Sequence, residues 1–282
     1  MKRAAALLLL LICASRLAAQ ESAPVTISLG TLRTEAEQAA LRIAAEYARG
    51  IEDIFQANIA SAANGPNDRG TLLALTPEVS ILTGDDDAFN GVVAKYTGHY
   101  IRFRTTTVQN VTTPDSRRLF HAFPISAGFE TNQSFENINT IVELGYVPFK
   151  LSGRALKLGL NPAFGVFLQA GYKSALDEDA SEDTGGAADE SEEEDDAPIG
   201  RVKFRAKFDQ PLGPATDSRI RVLLDAIFWY DAINQTTYHK VDGTLRLVLS
   251  PGRNFDLKYE NGSGPPNFNT GDQLSANITV AY

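Results

Sequence analysis

A strict alternation of apolar and polar residues, sustained over long segments from residue 70 onward, constrains this chain more than any other feature. Residues 201–208 alternate a base with an apolar residue, and residues 273–282 keep polar and apolar residues on opposite parities. Because successive side chains of a β-strand point to opposite faces, the pattern predicts strands with one apolar face. We predict ten strands, at about 71–83, 91–105, 118–130, 137–151, 155–173, 199–210, 217–230, 240–250, 253–261 and 271–282.

The length of these strands separates two kinds of β-protein. Antiparallel sandwiches and lipocalin-like barrels also alternate, but soluble strands are commonly about 5–6 residues long. A tilted strand needs about 9–11 residues to cross a bilayer, which most of the predicted strands reach. The sequence therefore predicts an all-β transmembrane fold, an antiparallel up-and-down barrel of about ten strands, with eight to twelve compatible with the pattern. Aromatic residues near strand ends fit interfacial girdles: Tyr96, Tyr100, Phe149, Tyr172, Phe228, Trp229, Tyr230, Phe255 and Tyr259.

The first 19 residues have the pattern of a secretory signal peptide. Lys2 and Arg3 precede the apolar run 4–13, and Leu17-Ala18-Ala19 is a small-residue cleavage site. The one cysteine of the chain, Cys13, lies in this run, so neither a disulfide framework nor a Cys-based zinc site is expected. A lipid on Cys13 is the weaker alternative, because bulky Ile12 precedes it.

The segment 20–69 predicts one amphipathic helix at about 34–62. Thr34 and Glu37 match a capping box, and apolar residues then recur with helical spacing. We expect this helix either to plug the barrel formed by residues 70–282 or to lie on its periplasmic side. The apolar positions that carry the prediction are Ala40, Ile43, Ala44, Tyr47, Ile51, Ile54 and Phe55.

The net charge of −9 comes from one segment. Residues 177–196 hold twelve acids and no base, whereas the chain without that segment and the leader has 23 bases and 23 acids. Nucleic acid binding through global charge is therefore excluded. The loop 175–198 is predicted to be a solvated surface segment. It lacks the glycine of an EF-hand, so only weak divalent cation binding is expected, and we predict no cofactor. The acids concerned include Asp177, Asp179, Glu192 and Asp195.

The connections between predicted strands alternate in length. Acidic or Gly/Pro-rich segments at 84–90, 174–198 and 261–266 alternate with tight turns at 152–154 and 251–252. Bacterial barrels place long loops outside the cell and short turns in the periplasm, which assigns an orientation to every strand. The segment 106–117 is the exception, because it is long for a periplasmic turn.

These features together resemble the outer-membrane β-barrel class of Gram-negative-type bacteria. The final strand ends on the aromatic residue Tyr282, which in that class is similar to the signal read by the barrel-assembly machinery. The resemblance implies export, insertion into the bacterial cell outer membrane, and contact with membrane lipid and lipopolysaccharide. It implies a porin-like small channel or a structural and interaction protein, and it carries over no catalytic residue.

Alternation also predicts which charged residues face the interior. Two interpretations of these residues remain open: a lining that attracts anions, or a structural salt-bridge network that fills a narrow barrel. The inward bases are Arg201, Lys203, Arg205, Lys207, Arg219, Arg221, Lys240 and Arg246. The inward acids are Glu78, Glu143, Asp225, Asp242, Asp256 and Glu260.

Signs of catalysis are weak. His239 with Asp231 is the nearest candidate pair for an outer-membrane hydrolase, such as a protease or a lipid-modifying enzyme, and only proximity in sequence supports it. We expect no enzymatic activity. A soluble exported β-barrel that binds an apolar ligand is the third function class that the pattern allows.

Overall fold

Thirteen β-strands make up the described part of the chain. The computed structural model describes residues 25–34, 39–47, 69–83, 91–108, 111–115, 118–132, 135, 137–149, 163–175, 197–212, 219–250, 253–265, 268 and 270–281. The strands are β1 (Val25–Thr34), β2 (Ala39–Tyr47), β3 (Arg69–Thr83), β4 (Gly91–Val108), β5 (Val111–Pro114), β6 (Phe120–Thr131), β7 (Asn137–Phe149), β8 (Ala163–Ala175), β9 (Ala197–Leu212), β10 (Ile220–Asp231), β11 (Thr236–Ser250), β12 (Arg253–Ser263) and β13 (Thr270–Ala281).

Twelve of these strands pair in a ring. Consecutive long strands pair antiparallel throughout, β1 also pairs with β13, and β3 pairs with both β2 and β4. Each long strand therefore has a hydrogen-bonded neighbour on both sides, as a barrel in a bilayer requires. Strand β5 instead forms a short hairpin with the end of β4, which accounts for part of the long segment 106–117. We call the end where β1 begins and β13 ends the terminal end, and the opposite end the loop end.

The antiparallel up-and-down sheet predicted from residue 70 onward is confirmed. Each of the ten predicted strands overlaps one of the long strands from β3 to β13. Twelve strands lie within the range of eight to twelve that the alternation allowed. The first half of the predicted strand 155–173 lies outside the described residues.

The predicted N-terminal helix is wrong where the structure describes it. Residues Ala39–Tyr47 form β2, and Val25–Thr34 form β1, so the barrel wall begins at Val25 rather than at residue 70. The odd positions of β2 are apolar or small, so they satisfy a period of two as well as a helical period. Pairing decides between them: β1 and β2 cover the edges that β13 and β3 would otherwise expose to lipid.

The two faces of the wall differ as the alternation requires. On β7, Ile141 and Glu143 are buried at 8% and 7% exposure, whereas Val142 and Leu144 are exposed at 55% and 50%. Leu73, at 77%, shows the same outward exposure on β3. The outer surface is thus apolar, which is the inverse of a soluble protein and suits contact with lipid.

One part of the interior packs like the core of a soluble protein. Phe120 is fully buried, with its ring centroid 5.7 Å from that of Phe103 and 5.3 Å from that of Phe149. Predicting Phe149 and Trp229 as interfacial aromatics was wrong. Phe149 belongs to this interior cluster, and Trp229 is 3% exposed and packs against Phe268 inside the barrel. The apolar cluster lies at the terminal end of β3, β4, β6 and β7 and consists of Leu72, Ile101, Phe103, Phe120, Ala122 and Phe149.

The described residues include no helix with the length and hydropathy to span a membrane. The predicted signal peptide 1–19, the remainder of the predicted helix 34–62, the acidic residues 177–196 and Tyr282 all lie outside the described residues.

Candidate functional site

Charged side chains on the inner face of β9 to β12 form the candidate site. Strands β7 and β13 contribute further partners to the same surface, which we call the charged wall. The wall brings together all but one of the bases predicted from alternation. The exception is Arg219, which is exposed and precedes β10. Its carbonyl oxygen accepts a 2.7 Å hydrogen bond from the backbone N–H of Val248.

Buried ion pairs occupy the middle of the wall and its loop end. The ammonium of Lys203 on β9 contacts the carboxylate of Glu143, and both side chains are about 10% exposed or less. The amide of Gln169 donates a second hydrogen bond of 2.7 Å to the same carboxylate. Nearby, the Nε atom of Arg201 lies 3.8 Å from an oxygen of Asp231. Each of these two bases therefore lies within 4 Å of a carboxylate, which offsets part of the cost of burying its charge.

Four charged residues on β11 and β12 form a connected cluster near the loop end. The Nζ atom of Lys240 lies 3.1 Å from Glu260 and 3.6 Å from Asp242, and that of Lys258 lies 2.7 Å and 3.5 Å from the same two acids. Glu260 is fully buried and also accepts a 2.7 Å hydrogen bond from Gln273 on β13. The cluster is a closed network of two bases and two acids, so it carries no net charge.

Arg246 and Asp256 form a bidentate pair further toward the terminal end. The Nε and Nη2 atoms of the guanidinium each donate to one carboxylate oxygen at 2.8 Å. The hydroxyl of Thr279 donates to the same carboxylate at 2.9 Å. Parallel hydrogen bonds of this kind hold both side chains in one orientation across β11, β12 and β13.

A second group of pairs lies at the terminal end of β9 and β10, and we call it the terminal-end group. Arg205 donates to Asp225 at 3.0 and 2.5 Å, and Arg221 donates to Asp209 at 2.9 and 2.8 Å. Lys207 lies 3.6 Å from Asp225. Exposure rises to 34% for Arg205, 40% for Arg221 and 53% for Lys207. Solvent therefore reaches the interior face at this end of the barrel.

Aromatic side chains occupy part of the interior at the loop end. Phe268, in the connection between β12 and β13, is buried, with its ring centroid 4.4 Å from that of Tyr238 and 5.3 Å from that of Trp229. The guanidinium of Arg201 lies 4.4 Å from the centre of the Phe268 ring. The sequence gives little signal for this contact, because Phe268 lies in a loop and adopts a left-handed backbone conformation.

Several residues of the interior were not singled out from the sequence. Lys95 pairs with Glu78 at 3.2 Å on β3 and β4, and Lys258 and Asp209 complete pairs on the charged wall. The inward parity of their strands is the signal that would have found them. Phe167 is another such residue. Its ring centre lies 4.3 Å from the Lys203 ammonium. The ring packs over Gly145 and Gly165, where the Cβ of any other residue would collide with it.

The candidate catalytic pair does not assemble. Asp231 faces inward and caps the turn after β10, accepting hydrogen bonds from the backbone of Ile233 and Asn234 at 2.9 and 3.1 Å. It pairs in register with Thr236, so His239, three residues later, is on the opposite face of the sheet and is exposed. The two side chains therefore cannot act on one substrate.

Metal-binding potential is equally limited in the part of the chain that the structure describes. No group of three or more His, Cys, Asp or Glu side chains there is arranged to hold a metal ion. The candidate cation ligands Asp177, Asp179, Glu192 and Asp195 lie outside the described residues.

Comparison with known proteins finds no matching family model and no matching curated protein. Solved structures similar to the chain include the NanC porin, with 8% identity and a TM-score of 0.42 over 91% of this chain and 98% of the porin. An anion-selective porin from Comamonas acidovorans has 7% identity and a TM-score of 0.38 over 92% of this chain and 98% of the porin. Likenesses this distant carry no argument, so fold and site rest on strand pairing and burial.

The architecture itself defines a class. A ring of antiparallel strands with an apolar outer surface and a charged interior is the arrangement of bacterial outer-membrane β-barrels, and the chain has this arrangement.

Proposed function

We propose that this protein is a narrow channel of the bacterial outer membrane that passes small solutes along the charged wall, with a weak preference for anions. The observation that carries the proposal is the exposure of the terminal-end group. Its side chains belong to the interior face, yet Arg221 and Asp209 are 40% and 42% exposed. Water inside a barrel is the first requirement of a channel.

The charge of the terminal-end group supports a preference for anions. Arg205, Lys207 and Arg221 supply three bases, and Asp209 and Asp225 supply two acids. The excess of one positive charge favours anions at this entrance. Pairing keeps the preference weak, because each guanidinium already binds a carboxylate.

The loop end limits the size of what passes. Buried pairs and the Phe268 side chain occupy part of the interior there. A barrel of twelve strands is also narrower than the 16–18-stranded porins that leave a wide aqueous channel. We therefore expect a small conductance, for ions and small solutes rather than for oligomers.

The other function classes have less support. A purely structural barrel would explain the buried pairs of the loop end, but it gives no reason for the exposed ones. The hydrolase alternative loses its one candidate pair, since His239 and Asp231 lie on opposite faces. A soluble barrel with an apolar ligand would place its apolar residues inside, whereas Leu73 and Leu75 are 77% and 71% exposed on the outside.

The proposed route to the membrane follows from the resemblance of the sequence to its class. After cleavage of residues 1–19, the barrel-assembly machinery would read the last strand with Tyr282 and insert the chain among phospholipid and lipopolysaccharide. The acidic segment 177–196 would then face the outside of the cell, where weak divalent cation binding is compatible with its charge.

Conductance across a planar lipid bilayer tests the proposal. The purified full-length chain, shown to be folded by its heat-modifiable migration in unboiled detergent gels, is expected to give discrete current steps. The variant Phe268→Ala removes a ring from the loop end and is expected to raise the step size. A folded protein that gives no current in either form would contradict the proposal and leave a structural barrel.

A further inference from the structure

A cavity on the outer face of the barrel carries a second inference. The cavity has a volume of about 480 Å³ and lies at the terminal end of β3, β4, β6 and β7. It is distinct from the charged wall. Apart from Gly70 and Phe103, which have the inward parity of β3 and β4, its strand residues follow the outward parity. Those that matter here are Tyr100, Arg102, Arg104, His121, Phe123 and Tyr146.

The residue types on the outer face change from layer to layer along the strands toward the terminal end. Leu75, Ile125 and Leu144 form an apolar layer, with exposures of 71%, 55% and 50%. Roughly 7 Å further along the strands, which is two residues, Tyr100, Phe123 and Tyr146 form an aromatic layer.

Bases follow the aromatic layer. Arg102 pairs in register with Thr71 on β3 and with His121 on β6, one step beyond Tyr100 and Phe123. Arg104 pairs in register with Arg69 at the edge. A sequence of apolar, aromatic and cationic layers is that of a membrane interface, where aromatic rings lie at the level of the lipid headgroups. The two arginines therefore lie where headgroup phosphates are found.

The two arginines of the cavity differ from those of the charged wall. In the described part of the chain, no carboxylate lies within 4.0 Å of the guanidinium of Arg102 or Arg104, whereas neighbouring Arg118 lies 3.7 Å from Asp115. Both side chains are exposed and outward. An anion that enters the cavity thus meets guanidinium groups whose donors are not already engaged by a described acid.

His121 and Tyr146 fix the opposite side of the cavity. The Nδ1 atom of His121 lies 2.9 Å from the Tyr146 hydroxyl, and the two rings stack with centroids 6.0 Å apart and planes at 15°. When the tyrosine hydroxyl donates to Nδ1, the proton of the imidazole is on Nε2. The ring then offers a further donor on a side chain that stacking holds in place.

We propose that this cavity binds the headgroup of an anionic phospholipid from the leaflet at the terminal end. Phosphate oxygens match the planar donors of arginine, and a lipid adds acyl chains that pack on Leu75, Ile125 and Leu144 below the aromatic layer. The cavity size suits a ligand headgroup. The inference requires the barrel to be embedded in a bilayer, but it is independent of conduction.

Native mass spectrometry of the full-length chain in detergent tests this site. Phosphatidylglycerol is titrated into the wild type and into Arg102→Ala, Arg104→Ala and Arg253→Ala. Arg253 is the matched control, because it is also outward and at the terminal end, but on β12, away from the cavity. Loss of one base near an anionic lipid is expected to weaken binding about fivefold for Arg102→Ala and Arg104→Ala. The control should bind as the wild type does.

Two outcomes would overturn the proposal. Equal weakening by Arg253→Ala would mean that lipid binds through general surface charge. Displacement of the lipid by glycerol 3-phosphate at matched concentration would mean that the cavity takes a free phosphate ester and not a lipid.

Tyr146→Phe tests the site should an arginine variant fail to fold, because it keeps the ring and removes the hydroxyl. It is expected to weaken lipid binding about twofold, of the order of one weak hydrogen bond. Phosphatidylglycerol binding without bilayer conductance would refute the channel and keep the lipid site.

Discussion

The apolar cluster and the charged wall are parts of one barrel interior, yet they are built in opposite ways. The apolar cluster stacks Phe103, Phe120 and Phe149 on each other at the terminal end of β3 to β7. At the same end of β9 and β10, the terminal-end group presents ion pairs whose side chains are 22% to 53% exposed. One side of the interior is therefore closed by packing, while the other side is open to water.

This difference assigns separate tasks to the two sides. Close packing of aromatic rings stabilises the barrel through buried apolar area, and it leaves no space for a solute. Paired charges contribute little stability where they are exposed, but they keep the interior wet and set its charge. The route through the barrel should then follow β9 and β10 and avoid β3 to β7.

The largest effect is expected where packing is tightest. Phe120→Ala removes a fully buried ring from the apolar cluster and should lower the free energy of unfolding by about 3–5 kcal/mol. Urea unfolding of the barrel in lipid vesicles measures this value. Phe228→Ala is the control, because Phe228 is 42% exposed on the outer face and leaves no internal cavity. An equal loss in both variants would show that the apolar cluster is no core.

The next effect concerns the buried part of the charged wall. Glu143→Gln leaves the Lys203 ammonium buried without its carboxylate and should cost about 3 kcal/mol in the same unfolding measurement. Glu143→Gln combined with Lys203→Met removes both charges and is expected to recover most of that loss. Absence of recovery would mean that the two charges are not coupled, although their side chains are in contact.

The smallest effect on stability belongs to the terminal-end group. Asp209→Asn breaks the pair with Arg221, but both groups are at least 40% exposed, so the loss should stay below about 1 kcal/mol. Unfolding curves for Asp209→Asn and Glu143→Gln, recorded under the same conditions, compare the losses in free energy of unfolding. A loss at Asp209 as large as that at Glu143 would contradict the open, wet character of this end.

Most residues of the charged wall could be predicted, because alternation is a local property of the sequence. On β9, the parity that puts Lys203 inside and Phe204 outside is visible in the residues themselves, and the structure keeps it. The two N-terminal strands, β1 and β2, could not be predicted in this way. Residues 39–47 fit two periods equally well, and only the partners on β1 and β3, distant in sequence, select the strand.

The candidate site shows the same division between local and distant information. Parity placed Arg205 and Asp225 on the inner face, but it could not show that they pair with each other, because pairing depends on the register between β9 and β10. Phe268 was missed for a related reason. Its contact with Trp229 and Tyr238 depends on how a loop folds into the barrel, which no periodicity describes.

The reversal potential of the channel in a potassium chloride gradient tests the central claim most directly. The wild type should show a weak preference for chloride. Lys207→Glu changes the terminal-end group from three bases and two acids to two bases and three acids, so the reversal potential should change sign. Arg253→Glu, the same charge change on the outer face, should leave it as in the wild type. A reversal potential that Lys207→Glu does not alter would contradict conduction along the charged wall.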